Sequence, residues 1–189
     1  MKSSLLSFII VFSSILFVSC GTSVLYISNT LPSEMQQNIN TGKSKDVAFD
    51  FVGHPKGDLL EVNAGPMWDS AFPLNNPFKG LLTELLNSKY GYIDSNSKNK
   101  VKIQITNLEP NLDKGGLSDG LYTLKMSVRV EVNRDSLDTK NFTYDIGVPL
   151  AYGFEGANAA FKSNLSKGVK DLLVKFVISI DKYLDSINL

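Results

Sequence analysis

From Tyr122 to Val132 every second residue is apolar: Tyr122, Leu124, Met126, Val128, Val130 and Val132 alternate with Thr123, Lys125, Ser127, Arg129 and Glu131. A period of two places the two sets on opposite faces of a β-strand, one dry and one wet. Such a strand needs neighbours patterned the same way, and the sequence offers two. Val101, Ile103 and Ile105 are opposed by Lys102, Gln104 and Thr106, and Phe142, Tyr144, Ile146 and Val148 share a face before Pro149, where the strand is expected to end. Alternation this clean belongs to an antiparallel sheet with one solvated face and argues against a doubly wound parallel sheet.

The dry face needs a cover. Phe78, Leu81, Leu82, Leu85 and Leu86 fall at i, i+3, i+4, i+7 and i+8, one apolar stripe of a helix. Asn75 or Asn76 is placed to cap it, Pro77 suits its first turn, and Gly91 stands where a left-handed C-terminal cap belongs. A second, longer helix follows Gly153 and Gly156. Its stripe runs Phe161, Leu165, Val169, Leu172, Leu173, Phe176, Ile180, Tyr183, Leu184 and Ile187. Val47, Phe49 and Phe51 mark an earlier strand, while Gly53 to Pro77 is read as loop, extended locally at Leu59 to Val62. The expected fold class is α+β: a two-layer sandwich, with an antiparallel sheet of about four strands and two helices packed on one face. Residues 46–189 form its single globular domain.

The N-terminus carries an address. Lys2 precedes an apolar run of 14 residues, Leu5 to Val18, diluted only by Ser7, Ser13 and Ser14. A membrane-spanning helix needs ~17–25 residues, so the run reads as the apolar region of a signal peptide, residues 1–19. It ends Phe17-Val18-Ser19-Cys20-Gly21, which resembles a bacterial lipobox with Phe17 in place of the usual Leu. The resemblance implies cleavage before Cys20, a thioether-linked diacylglycerol there and an N-acyl chain such as palmitate. Two or three acyl chains, at ~0.8 kcal/mol per buried methylene, anchor far more firmly than one. Cys20 is also the chain's only cysteine, so the mature domain holds no thiol that an oxidising envelope could mispair. Gly21 and Thr22 follow it with no Asp in second place, which by analogy with enteric sorting rules implies the outer membrane, facing the periplasm. Gly21 to Lys45 is rich in Ser, Thr, Asn and Gln without sustained periodicity, so residues 20–45 are read as acylated cysteine and flexible tether. Those residues after Cys20 would reach at most ~80 Å extended and about 28 Å as a coil.

Composition narrows function by exclusion. Nineteen basic residues against 19 acidic ones give net charge +0 and no electrostatic footprint for nucleic acid. One His and one Cys are too few soft ligands for a zinc or iron–sulfur site, and no cofactor motif is present. Gly116-Leu117-Ser118-Asp119-Gly120 formally matches a nucleophile elbow, but that elbow needs a helix after the serine and a strand pattern follows here. The stretch is read as a turn. Asn111, Asp113 and Asp119 lack the spacing and the terminal Glu of a calcium loop. His54, the only base for an acid–base set, stands between Gly53 and Pro55 and reads as a solvated loop residue. No enzymatic activity is expected.

The lipobox, the strand, the helix ending at Gly91-Tyr92, the amphipathic strands and the Ala/Asn-rich approach to a terminal helix together resemble the YajG-type bacterial lipoproteins. The likeness runs from Leu81 through Asp181, especially Lys140-Asn141-Phe142-Thr143-Tyr144 and Gly153-Phe154-Glu155-Gly156-Ala157. It implies an envelope lipoprotein with an α+β domain and without established catalytic residues. Many members carry Asp-x-Arg after the first strand; Val52-Gly53-His54-Pro55-Lys56 has no such triplet, so a role tied to that pair is not carried over.

Two functional readings follow: a tethered interaction or accessory module of the envelope, or an auxiliary lipoprotein of an ABC-type lipid or lipopolysaccharide transport system. The second requires an apolar groove, and the polar row Thr123, Lys125, Ser127, Arg129 and Glu131 favours the first. The expected partners are the membrane, through acylated Cys20, and an envelope protein or lipid. Two aromatic groups, Trp68 with Phe72 and Tyr152 with Phe154, fall in expected loops and are the candidate partner-binding residues, because aromatic side chains on loops are common recognition anchors. The competing reading makes these rings covers of the core.

Overall fold

The computed structural model describes residues 22–38, 47–63, 69–90, 96–113, 120–134, 136–150 and 156–189. Its elements in chain order are β1 (Ser23–Val24), α1 (Ser33–Asn38), β2 (Val47–Val52), β3 (Leu59–Val62), β4 (Ser70–Pro73), α2 (Asn75–Tyr90), β5 (Asn99–Asp113), β6 (Gly120–Asn133), β7 (Leu137–Leu150) and α3 (Ala157–Ser186). The fold is α+β. A four-stranded sheet runs β2-β5-β6-β7, and a second, three-stranded sheet runs β1-β4-β3.

The large sheet is built on β6, whose burial alternates without a fault from Gly120 to Asn133. Its dry face meets α2 and α3, with Phe78 of α2 against Phe176 of α3 at 5.9 Å between ring centroids and Tyr144 of β7 against Phe176 at 4.9 Å. Leu81, Leu85, Val128, Leu165 and Leu173 are fully enclosed there. The expected helix stripes are therefore the core stripes; Tyr183 and Ile187 are only partly buried, and Val177 joins the buried set.

Several expectations are corrected. The large sheet is mixed, because β2 pairs with β5 in parallel while β5-β6-β7 are antiparallel. Alternation reveals a wet face but not strand direction; the long connection through β3, β4 and α2 acts as a crossover, and a crossover brings β2 in parallel. β5 runs on past Thr106 because a bulge between Ile105 and Asn107 shifts the register. One extra residue reverses the parity, so Leu108 and Leu112 carry the inner row onward. Strand β7 continues through Pro149 to Leu150, and as an edge strand it tolerates a proline. Leu59 to Val62 is extended as expected and forms β3, but the stretch read as loop also contains β4. Helix α2 is capped from outside: the Asn76 amide donates to Asp58 Oδ1 at 2.8 Å, while the Asn75 side chain is spent on the preceding loop, accepting from the His54 amide and donating to the Gly57 carbonyl. Gly91 lies outside the described residues.

Candidate functional site

Residues 22–38, the described part of the segment expected to be a tether, are docked as a strap. Strand β1 pairs in parallel with β4, Ser23 opposite Ser70 and Val24 opposite Ala71, and the Leu25 amide donates to the Ala71 carbonyl at 2.7 Å. Beyond it Ile27 and Leu31 are buried at 3% and 4% exposure in the common core. Glu84 on α2 clamps the strap twice, accepting from the Leu31 amide and from Gln36 Nε2, each at 2.7 Å. Ser166 on α3 donates to the Tyr26 carbonyl at 2.5 Å. Gly80 makes the close approach possible, since a Cβ there would lie 2.9 Å from Asn29 Cβ and 3.2 Å from its carbonyl oxygen. Leu25, Ile27 and Leu31 follow no single period because the segment crosses a strand, a turn and a helix. The strap therefore had no periodic signature to betray it.

Strand pairing gives the small sheet two distinct faces. Phe72, Val62 and Ile27 join the core, and Leu25 and Leu60 pack partly against it. The other face carries Val24, Ala71 and Glu61 in one row and Pro73 with Leu59 in the next; Ala71 at its centre is buried, and Tyr26 stands two residues beyond Val24. Three of these side chains are wide open to solvent: Val24 at 63%, Tyr26 at 76% and Leu59 at 53%. Glu61 is the one charged residue among them.

The wet face of the large sheet is different in kind. Lys102 meets Glu131 at 3.6 Å, Lys125 meets Glu109 at 3.6 Å, and Ser127 shares a hydrogen bond with Thr143. Asn107 and Lys125 together hold the Glu109 carboxyl below its usual range. At the β2 end a hollow of about 400 Å³ is lined by Ala48, Phe49, Val101 and Leu137 together with Asp50, Lys100, Lys102, Glu131 and Asn133. Its lining mixes apolar side chains with charged ones, of which Lys102 and Glu131 are paired.

One charged residue escaped sequence reasoning. Lys89 is 2% exposed, and its ammonium lies between Asp181 and Asp185 of α3. It stands four residues beyond Leu85 on the apolar stripe, and the two aspartates are themselves four apart; a lysine on a buried stripe was the signal. Beside them burial, then the charges of Asp185 and Asp181, push the Tyr90 hydroxyl well above its ordinary range. This is a structural lock and not a reactive cluster. His54, its pKa lowered by burial and then by Lys56, accepts from the Lys56 amide within its own loop. Among the described residues no group of three His, Cys, Asp or Glu side chains is placed to hold a metal, and no helix is long and apolar enough to cross a membrane.

The candidate residues fare unequally. Phe72 is in β4, not in a loop, and at 0% exposure it is core; the expectation of an exposed ring is corrected, because its pairing with Leu60 turns it inward. Phe78, on the α2 stripe, is core as well. Cys20, Trp68, Tyr152 and Phe154 lie outside the described residues, as do Gly116 to Asp119. Strand β6 does follow directly at Gly120, where a nucleophile elbow would need a helix.

No family model matches the chain, and no curated protein matches it. Solved structures that resemble it include protein XCC0632 from Xanthomonas campestris, described with the family-model DUF330, at 13% identity and a TM-score of 0.42, covering 88% of this chain and 98% of that one. A minor lipoprotein from Acinetobacter baumannii is similar at 11% identity and a TM-score of 0.38, covering 74% of this chain and 92% of that one. These are partial likenesses at low identity.

Proposed function

We propose that this chain is a bacterial envelope lipoprotein of the YajG-like kind, anchored by acylated Cys20 in the outer membrane and facing the periplasm, whose α+β domain serves as a non-enzymatic interaction or accessory module. The position of Cys20 carries the reading. It is the sole cysteine, it ends an apolar run of signal-peptide length, and it stands three residues before the opening of β1. A folded unit that starts so soon after its lipid is held at the membrane surface. The charges of Asp50, Lys100, Lys102 and Glu131 within the hollow on the large sheet favour the interaction module over an acyl-chain carrier, and the internal bonding of the His54 loop gives no support to acid–base chemistry.

The test pairs fractionation with mass spectrometry. Cys20→Ser should release the protein from membranes or leave its signal peptide uncleaved, and mature wild-type protein should carry diacylglycerol and an N-acyl chain on Cys20. An unmodified Cys20 in the mature protein sinks the reading. Crosslinking in intact cells, followed by identification of protein and lipid together, then separates an accessory module from a lipid-transport component.

A further inference from the structure

We infer that the outer face of the three-stranded sheet, carrying Val24, Tyr26, Leu59 and Pro73, rests on the lipid surface in which Cys20 is anchored. The inference depends on the anchored reading above and adds an orientation to it. Three observations converge. The first is exposure: Val24 and Leu59, at 63% and 53%, are large apolar side chains on one face of the small sheet, and Tyr26, at 76%, follows two residues after Val24. Scattered exposed apolar residues are ordinary, but several on one small sheet mark an interaction surface.

The second is reach. Three residues separate Cys20 from Val24, so their Cα atoms, four steps apart, are at most ~14 Å from each other even when fully extended. The headgroup region on each side of a bilayer is roughly 5–8 Å thick. With the strap fixed by Glu84, Ser166 and the β1–β4 pairing, no slack remains to carry this face far from the lipid. A free tether of the length read from sequence would have imposed no such limit.

The third is chemistry. A tyrosine belongs at a membrane interface, where its ring meets apolar matter and its hydroxyl meets water. Val24, Leu59 and Pro73 offer no charge, and Glu61, in the row of Val24 and Ala71, is acidic. Lipid contact here is therefore apolar and independent of anionic headgroups. The charged face of the large sheet, with Lys102 paired to Glu131, has the opposite character.

The experiment uses full-length lipidated protein in phosphatidylcholine vesicles, with and without phosphatidylglycerol. Once Cys20 is acylated, Leu59→Cys supplies the one free thiol for a nitroxide label, Val24→Cys a second position, and Thr139→Cys a control on the exposed face of β7. Labels at 59 and 24 should show a ratio of oxygen to water-soluble nickel accessibility several-fold above that at 139, unchanged by phosphatidylglycerol. Labels at 59 and 24 as open to nickel as the control overturn the inference while the anchor stands. Labels shielded from both reagents, with mutual dipolar broadening, also overturn it and assign the face to a second copy. A Cys20 without lipid in the same samples, read by mass, overturns the anchor and the orientation together.

Discussion

The ammonium of Lys89, at 2% exposure, lies 2.8 Å from the Asp185 carboxylate, with Asp181 bonded to the same nitrogen. This junction joins the last turn of α2 to the closing turns of α3. A lysine near a helix C-terminus is already favoured by the helix dipole, and here two carboxylates on the neighbouring helix complete its hydration-free environment. The stem of Lys89 meanwhile continues the apolar stripe.

Lys89→Met keeps the stem and removes the charge, so it isolates the ion pairs. Removing one partner of a buried pair is costly, but Asp181 and Asp185 retain 24% and 46% side-chain exposure and can be partly rehydrated. The expected loss is roughly 2–4 kcal/mol in urea unfolding. Asp185→Asn should cost less, since Asp181 still holds the ammonium. An unchanged midpoint for Lys89→Met would refute the lock.

Gly80→Ala tests the strap. In an isolated helix the change would favour α2 by about 1 kcal/mol. Here the new methyl group meets Asn29 Cβ at 2.9 Å and its backbone oxygen at 3.2 Å, so the strap must shift. The variant is expected to retain its global melt while residues around Asn29 to Leu31 gain hydrogen exchange. Glu84→Gln, which keeps one acceptor oxygen and sets an NH2 donor where the other stood, loses one of the two bonds and should loosen the same residues. Exchange that stays at the wild-type level in Gly80→Ala would mean that the strap does not depend on this approach.

These residues show what the sequence could and could not disclose. Strand β6, the α2 stripe and the α3 stripe were legible because each repeats one period over many residues against one uniform surface. The bulge at Thr106 was not, since a single inserted residue leaves two short alternations that look unrelated. Parallel pairing of β2 was hidden because period two is blind to direction. The strap and β4 were hidden for another reason: Ile27, Leu31 and Phe72 are buried by partners remote in sequence, and segments of two to six residues carry no period at all. The aromatic ring at 72 looked like a binding residue only because the Gly- and Pro-rich stretch around it reads as loop.

Alkaline pH should find the core through Tyr122. Burial raises its hydroxyl well above the ordinary value near 10, so the neutral phenol is the form the fold holds. The unfolded chain releases this proton near pH 10 while the folded chain keeps it. Stability from this group is therefore complete below about pH 10 and declines as pH rises above that value. Tyr122→Phe removes the proton and should flatten the alkaline limb of a stability–pH curve relative to wild type; identical limbs would show that this phenol does not contribute. Tyr90, raised in the same direction by burial and by Asp185 and Asp181, predicts a second contribution in Tyr90→Phe.

Gly168 interrupts the long α3 helix, and a glycine in a helix interior costs about 1 kcal/mol relative to alanine. Its position has a packing rationale: a Cβ at 168 would sit 3.4 Å from Ile146 Cδ1 and 3.5 Å from Val148 Cγ2, directly over the inner row of β7. Both neighbours are the ends of side chains, and the first can turn by a few tenths of an ångström. Gly168→Ala should therefore be neutral or stabilising by up to about 1 kcal/mol. Gly168→Leu must lift the helix from β7 and should destabilise by roughly 1–3 kcal/mol. Thermal melts of the pair decide the matter. If alanine proved as damaging as leucine, the helix and sheet would be closer than these distances allow, and Gly168 would be required for contact rather than merely compatible with it.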